Sequence, residues 1–209
     1  MNIYHYSKVG DWQSIQSGSW QSRNVPGLGN NLRVCKDNFI DEGARDGAVF
    51  GLLEPEPANW VENSEFPVAW TYLTAHVGRL LLTYEPTEEI VEKSFIIDWA
   101  HMERFCGGQK DNLNNSQESR GSSSGMTRLD AERAYWASKV PLAEYISDPA
   151  VINELALPEV ITMCVVPAEI IKIADTQPQL PDASPHERKK ILRAIEYSPE
   201  LEALRAYAV

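Results

Sequence analysis

The sequence has few cysteines and no long apolar run, and each shortage excludes a class of protein. Its three cysteines, Cys35, Cys106 and Cys164, are too few and too scattered for a disulfide framework or a zinc cluster. Cys164 lies in an apolar run, where we expect a small core residue. No apolar stretch approaches the roughly 20 residues needed to cross a bilayer, so we expect no membrane partner.

Positive charge is also scarce. The chain of 209 residues carries 19 Lys and Arg against 30 Asp and Glu, a formal net charge of −11. Non-specific nucleic-acid binding depends on neutralising phosphates, so this balance argues against a nucleic-acid coat, although a local basic groove stays compatible with it.

The first residues, MNIYHYSKVGDW, lack the apolar segment of a Sec-type signal peptide. We therefore expect a reduced, cytoplasmic protein, with an effector secreted by another route as the alternative.

Several well-known motifs are missing. Without GxGxxG or a Walker A loop, neither a dinucleotide-binding doubly wound sheet nor a nucleoside triphosphatase is predicted. The four histidines match no HExxH spacing and have no clustered cysteine or carboxylate partners, so we predict no metal. The absence of a GxSxG elbow argues against a serine hydrolase.

The segments that are present predict an α+β fold. Strands are predicted in IYHYS, AVFGLLEP, RLLLTYEP, SFIIDW and EVITMCVV, with an acidic turn in TEEIVEK. Helices are predicted in DWQSIQSG, VAWTYLTAHVG, LDAERAYWASK and PLAEYI, and after the cap Ser184. Because no regular βαβ rhythm connects them, we expect a split, mainly antiparallel sheet with flanking helices.

We interpret residues 1–175 as one domain and residues 184–209 as its C-terminal helical extension. Residues 107–125 are almost entirely Gly, Ser, Asn, Gln and charged residues. Such a composition cannot be buried, so it predicts a mobile and dispensable surface loop, with a lid over a site as the alternative.

Two polar residues interrupt strands that otherwise lack charge. In IYHYS, period-two alternation puts His5 and Ser7 on one face, with Tyr4 and Tyr6 on the other. Glu159 begins an apolar strand. Taken singly, a strand histidine is more often structural and a strand-end glutamate more often faces solvent; the two together suggest a site. We therefore expect the strands of His5 and Glu159 to be neighbours, with both side chains opening into one cleft.

This pair, with its surroundings, resembles the ADP-ribosyltransferase superfamily, within it the DarT-like and HxT-type branches. The resembling segments are IYHYSKVGDWQSIQSG at the start, DGAVFGLLEPEPANW in the middle and PEVITMCVVPAEII at the end. They cover residues 3–173 in order, and the specific motifs lie at the two ends. The resemblance implies a split antiparallel sheet of ADP-ribosyltransferase type. It also implies NAD as substrate, without a metal, and a toxin or effector role.

The same resemblance implies roles for individual residues. His5 would bind the ribose next to nicotinamide, and Ser7 with Tyr6 would complete that edge of the NAD site. Glu159 would be the catalytic carboxylate. Tyr72 is the choice for the aromatic residue that stacks on nicotinamide. Arg45 lies near the position of an arginine that some relatives use, and no motif identifies the acceptor, which could be a protein, a nucleic acid or a small molecule.

Two alternatives stay open at the level of sequence. Glu144 in YWASKVPLAEYI resembles the proline-glutamate-tyrosine run of an NAD-linked RNA 2′-phosphotransferase, although this acidic chain lacks that enzyme's basic cluster. We therefore expect Glu144 on a helix surface. The other alternative is a non-catalytic module of the same fold that recognises a basic protein partner.

Overall fold

A computed structural model describes residues 1–16, 19–20, 48–104, 127–175, 177 and 183–208. Arg45 and the loop 107–125 lie outside the described residues. Within them the chain is a mixture of helices and antiparallel strands, which confirms the α+β prediction.

The strands are short. They are β1 (Ile3–Ser7), β2 (Ser19–Trp20), β3 (Val49–Gly51), β4 (Leu80–Tyr84), β5 (Ser94–Asp98), β6 (Val140–Pro141), β7 (Pro158–Thr162), β8 (Val166–Pro167) and β9 (Lys172–Ile173).

The α-helices are α1 (Trp12–Gln16), α2 (Ala58–Val61), α3 (Ala69–Val77), α4 (Glu88–Glu92), α5 (Arg128–Ala137), α6 (Leu142–Ser147) and α7 (Pro185–Tyr197). Residues 100–104 are also helical. Turns of 3-10 helix occupy Val9–Asp11, Pro149–Ile152, Ala168–Ile170 and Pro199–Tyr207.

Two antiparallel sheets meet along one pair of strands. The first has the order β1-β4-β9, the second has the order β3-β7-β5-β6, and β2 pairs with β8 alone. Tyr4 of β1 exchanges two backbone hydrogen bonds with Leu52, just after β3 (2.9 and 2.7 Å). β3 therefore lies between β1 and β7. Our expectation that the strands of His5 and Glu159 are direct neighbours is wrong, because Val49–Gly51 pairs with β7 and occupies that position.

The strands separate two hydrophobic cores, because alternate side chains point to opposite faces. One core collects Tyr6, Phe50, Leu81, Ile97, Tyr135 and Ile161, with Tyr4 and Met163 packed against it. The other collects Ile3, Val49, Leu80, Leu82, Ile96 and Val160. Tyr4 and Tyr6 thus share one face of β1, as the alternation predicts. The half-buried Cys164 packs against the second core.

The C-terminal helices cover the second core. Ser184 and Glu187 form a capping box, in which the Ser184 backbone donates to the Glu187 carboxylate at 2.8 Å, and Pro185 is the first residue of α7. Ile191 and Ile195 of α7 are buried together with residues of β1 and β4, whereas Leu192 is exposed. Val9 and Trp12 belong to the same core, so the first and last helical segments of the described chain pack together.

Two of the predicted elements differ from those in the structure. TEEIVEK is a helix, α4, whose N-cap is Thr87; acidic residues in its first turn suit the positive end of the helix dipole. EVITMCVV is not one strand, because the chain leaves the sheet after Thr162, bends at Cys164 and pairs again as β8.

Among the described residues, no helix has both the length and the apolar character needed to span a membrane.

Candidate functional site

His5 lies in the middle of β1 and faces the seam between the two sheets. Its Nδ1–H donates to the backbone carbonyl of Phe50 at 2.5 Å. The side chain is buried, and burial lowers the pKa of His5 to about 3, opposed by the bond to Phe50. The imidazole is therefore neutral at pH 7. Because a carbonyl only accepts, Nδ1 carries the single proton and Nε2 acts as an acceptor.

Gly51 allows β1 to lie this close to β3. A Cβ at Gly51 would stand 2.5 Å from Cγ2 of Ile3 and 3.1 Å from the backbone oxygen of Tyr4. Any side chain there would push the two sheets apart. The absence of a side chain at Gly51 thus helps to keep His5 within reach of the Phe50 carbonyl.

Glu159 is the second residue of β7 and pairs with Ile97 of β5. Only 3% of its surface is exposed. The hydroxyl of Tyr135, from the fully buried face of α5, donates to Oε1 of Glu159 at 2.6 Å. A hydroxyl donor at this distance from a carboxylate is typical of a short, charge-assisted hydrogen bond. The carboxyl group is therefore held in one orientation inside the protein.

The chain that leads into β7 is fixed by Asp98. Its buried carboxylate accepts from the backbone N–H groups of Leu157 at 2.8 Å, Ala156 at 3.1 Å and Ala100 at 3.0 Å. The indole of Trp60 donates to the carbonyl of Pro158 at 2.9 Å. These bonds hold the residues immediately before Glu159, so the position of its backbone is determined by side chains from β5 and α2.

His5 and Glu159 are both among the residues that line one cavity. Its volume is about 30 Å³, enough for one or two water molecules. The remaining lining is aromatic and aliphatic: Tyr4, Tyr6, Phe50, Gly51, Leu52, Trp60, Leu73 and Val77. Both residues thus line a small, mostly apolar space.

The other predicted site residues are distributed around this cavity. Tyr6 also lines it; its hydroxyl donates to the Pro55 carbonyl at 2.8 Å, and burial raises its pKa. Ser7 is buried at the end of β1 and pairs with Leu80, outside the cavity lining. Tyr72 belongs to α3, but its side chain lies outside the described residues.

Glu144, the competing glutamate, is exposed on α6 and does not line the cavity. This confirms the expected helix-surface position. Within the described parts of the chain, no three His, Cys, Asp or Glu side chains are grouped so that they could hold a metal ion.

The sequence did not single out Tyr135 or Asp98, although both contact the Glu159 region. Asp98 lies at the end of a predicted strand, where an aspartate commonly binds nearby backbone N–H groups, so its role could have been predicted weakly from the sequence. The role of Tyr135 could not have been predicted, because its helix contains more than one aromatic residue and only tertiary packing determines which one contacts Glu159.

No family model matches this chain, and the searches of curated proteins and of solved structures also found no match.

Proposed function

We propose that this chain is a mono-ADP-ribosyltransferase, which cleaves NAD and transfers ADP-ribose to an acceptor. The observation that carries the proposal is that both His5 and Glu159 line one cavity. Nε2 of His5 accepts hydrogen bonds, and an ionised carboxylate only accepts. In the proposed site, these two acceptors would bind the hydroxyl groups of one ribose.

The chemistry of NAD cleavage gives each residue a role. The bond between C1′ of the ribose and the nicotinamide nitrogen breaks, and its electron pair neutralises the pyridinium. C1′ then carries positive charge until the acceptor forms a new bond to it and loses a proton. The carboxylate of Glu159 would stabilise that charge and accept from the ribose 2′-hydroxyl, and such a fixed group is typically worth about 3–4 kcal/mol. His5 would orient the same ribose.

The arrangement of strands supports the same class of fold. Two antiparallel sheets meet at β1 and β3, with His5 on one side of the seam and Glu159 on the second strand beyond it. A split sheet of this kind is what the resemblance to ADP-ribosyltransferases implies. In the proposed site, NAD would bind along the seam.

The proposal requires the cavity to widen. Pockets for small molecules usually measure about 300–1,000 Å³, whereas this cavity holds about 30 Å³. Tyr4 is half-buried, so its side chain can move with less loss of packing than the fully buried residues of β7. Binding of NAD should therefore change the environment of Tyr4 and the nearby Trp60.

The acceptor of ADP-ribose in the proposed reaction would be a protein, a nucleic acid or a small molecule. We expect the reaction to take place in a reduced, cytoplasmic compartment. The resemblance to ADP-ribosyltransferases implies a toxin or effector role. The proposed reaction needs no metal.

A second candidate function is a non-catalytic binding module of the same fold. The observation that favours it is the small volume of the cavity, in which Glu159 already has a buried partner in Tyr135. A net charge of −11 would then direct the surface toward a basic protein partner. In that case Glu159 would have a structural role.

Calorimetric titration with NAD, followed by measurement of nicotinamide release, separates the two candidates. The transferase should bind NAD and release nicotinamide slowly in the absence of acceptor. A change in tryptophan fluorescence on NAD addition should accompany the opening near Trp60. No binding at millimolar NAD would overturn the transferase proposal and favour the binding module.

A further inference from the structure

A second, larger cleft lies between the turn after β1 and helix α7. Its volume is about 770 Å³, within the usual range of small-molecule sites. One wall consists of residues 8–13, and the other consists of one face of α7, with Gly78 and Arg79 beside them. Among the described residues, none lines both this cleft and the cavity of His5 and Glu159.

The wall formed by α7 presents two cations and one aromatic ring on the same face. Lys190, Arg193 and Tyr197 follow the spacing i, i+3 and i+7, which aligns side chains along a helix. All three are exposed, and Tyr197 exposes 64% of its surface. The floor is apolar where Val9, Trp12, Ile191 and Leu201 line the cleft.

The lining of the cleft carries the opposite charge to the protein. Among the lining residues that the structure describes, four cationic side chains, Lys8, Arg79, Lys190 and Arg193, accompany two carboxylates, Asp11 and Glu187, which leaves an excess of two positive charges. The whole chain carries −11. A concave surface that reverses the sign of the overall charge attracts anions locally.

The two carboxylates, already subtracted in this excess, each have neighbours of their own. Glu187 accepts from the Ser184 backbone and lies 3.6 Å from Nε of Arg79, so these two side chains are already engaged. Asp11 is exposed; partial desolvation of its carboxyl group raises its pKa, and the charges of Lys8 and Lys190 oppose this shift. The side chains of Lys8, Lys190 and Arg193 make no ion pair within 4 Å to any other residue that the structure describes.

We propose that this cleft binds a nucleotide that carries at least two phosphates. Lys8, Lys190 and Arg193 would hold the phosphates, and Tyr197 would stack on the base, as aromatic side chains do with any base. The apolar floor would cover the sugar. This site goes beyond the NAD chemistry proposed above and does not depend on it, because neither His5 nor Glu159 takes part.

The experiment measures the affinity of the full chain for ADP and for inorganic pyrophosphate by calorimetry at low, constant ionic strength. ADP lacks the nicotinamide ribose that the first cavity is proposed to bind. The double variant Lys190→Glu with Arg193→Glu should raise the Kd of both probes at least tenfold. The variant Tyr197→Leu should raise the Kd of ADP several-fold and leave that of pyrophosphate within twofold.

Lys189→Glu is the matched control, because Lys189 is exposed on the same helix but does not line the cleft. It should bind both probes like the wild type. Failure of the wild type to bind either probe would overturn the proposal, and so would an equal loss in Lys189→Glu, which would indicate general charge attraction. If Tyr197→Leu bound ADP as tightly as the wild type, the assignment to a nucleotide would be overturned.

Discussion

The hydroxyl of Tyr135 lies 2.6 Å from Oε1 of Glu159, and both side chains are buried. Two rings hold the tyrosine edge-on: Trp99, with centroids 6.1 Å apart, and Trp136, at 5.2 Å. The phenol ring cannot swing without disturbing these contacts, so its hydroxyl stays directed at the carboxyl group. Tyr135 is therefore a positioning residue for Glu159.

Replacement Tyr135→Phe removes this hydroxyl and keeps the ring. We expect the free energy of unfolding to fall by about 1–3 kcal/mol, because a buried carboxyl oxygen loses a donor. Under the proposed function, kcat for nicotinamide release should fall about tenfold or more with KM little changed, because the carboxylate is less well oriented. Urea unfolding and steady-state kinetics measure the two effects.

Tyr84→Phe is a suitable control for this change. Tyr84 is also buried, and its hydroxyl lies 3.3 Å from Oγ1 of Thr162, which has a second partner in Ser94 at 2.8 Å. Its loss should cost less than about 1 kcal/mol and leave kcat unchanged. Equal effects of the two substitutions on kcat would contradict the positioning role of Tyr135.

The buried His5 predicts a pH dependence of stability. The pKa of His5 is about 3 in the folded protein and about 6.5 when unfolded, so between these values only the unfolded chain binds the proton. This contribution should make stability rise from pH 4 to pH 6.5, by up to about 1.4 kcal/mol per unit, and be constant above pH 7. Urea midpoints at several pH values measure it.

His5→Asn should lower that slope, since Asn retains a donor for the Phe50 carbonyl but does not titrate. His186→Asn removes an exposed imidazole at the start of α7 and should keep the slope of the wild type. A wild-type slope that persists in His5→Asn would show that other groups cause it.

The helices and strands that were predicted correctly are those that depend on interactions between residues close together in the sequence. β1, β4 and β5 follow runs of strand-forming residues, and the start of α7 follows from the capping box of Ser184 and Glu187. Helix α4 was missed although Thr87 and the following glutamates carried an N-terminal signal, because the short polar segment between two strands was interpreted as a turn.

The geometry of the candidate site depends on contacts between residues that are far apart in the sequence, which short sequence patterns cannot predict. His5 and Glu159 were singled out as polar residues in apolar strands, but the insertion of β3 between their strands depends on pairing across more than 40 residues. The bond from Tyr135 to Glu159 likewise depends on how α5 packs against the sheet. Such pairings are decided by tertiary packing, which the period of a single segment does not encode.

Gly78 is a position where only glycine fits. It follows α3 with φ of 126° and ψ of −179°, a region essentially restricted to glycine, and a Cβ there would stand 2.1 Å from the backbone oxygen of Ser7. Gly78→Ala should therefore lower the free energy of unfolding by at least about 1–3 kcal/mol. Gly10→Ala is the control, because its Cβ would meet nothing within 4 Å. Urea unfolding that shows equal stability for both variants would contradict this account.

The most direct test of the proposed function is Glu159→Gln. The amide oxygen can still accept from Tyr135, so the fold and NAD binding should persist, whereas the negative charge near the ribose is lost. Nicotinamide release should then fall about 10²-fold or more, as for the loss of one preorganised electrostatic group. Glu144→Gln changes an exposed carboxylate on α6 and should leave turnover unaltered. Circular dichroism confirms folding of both variants. If Glu159→Gln retained the activity of an active wild type, Glu159 would have no part in the reaction, and its burial against Tyr135 would be purely structural.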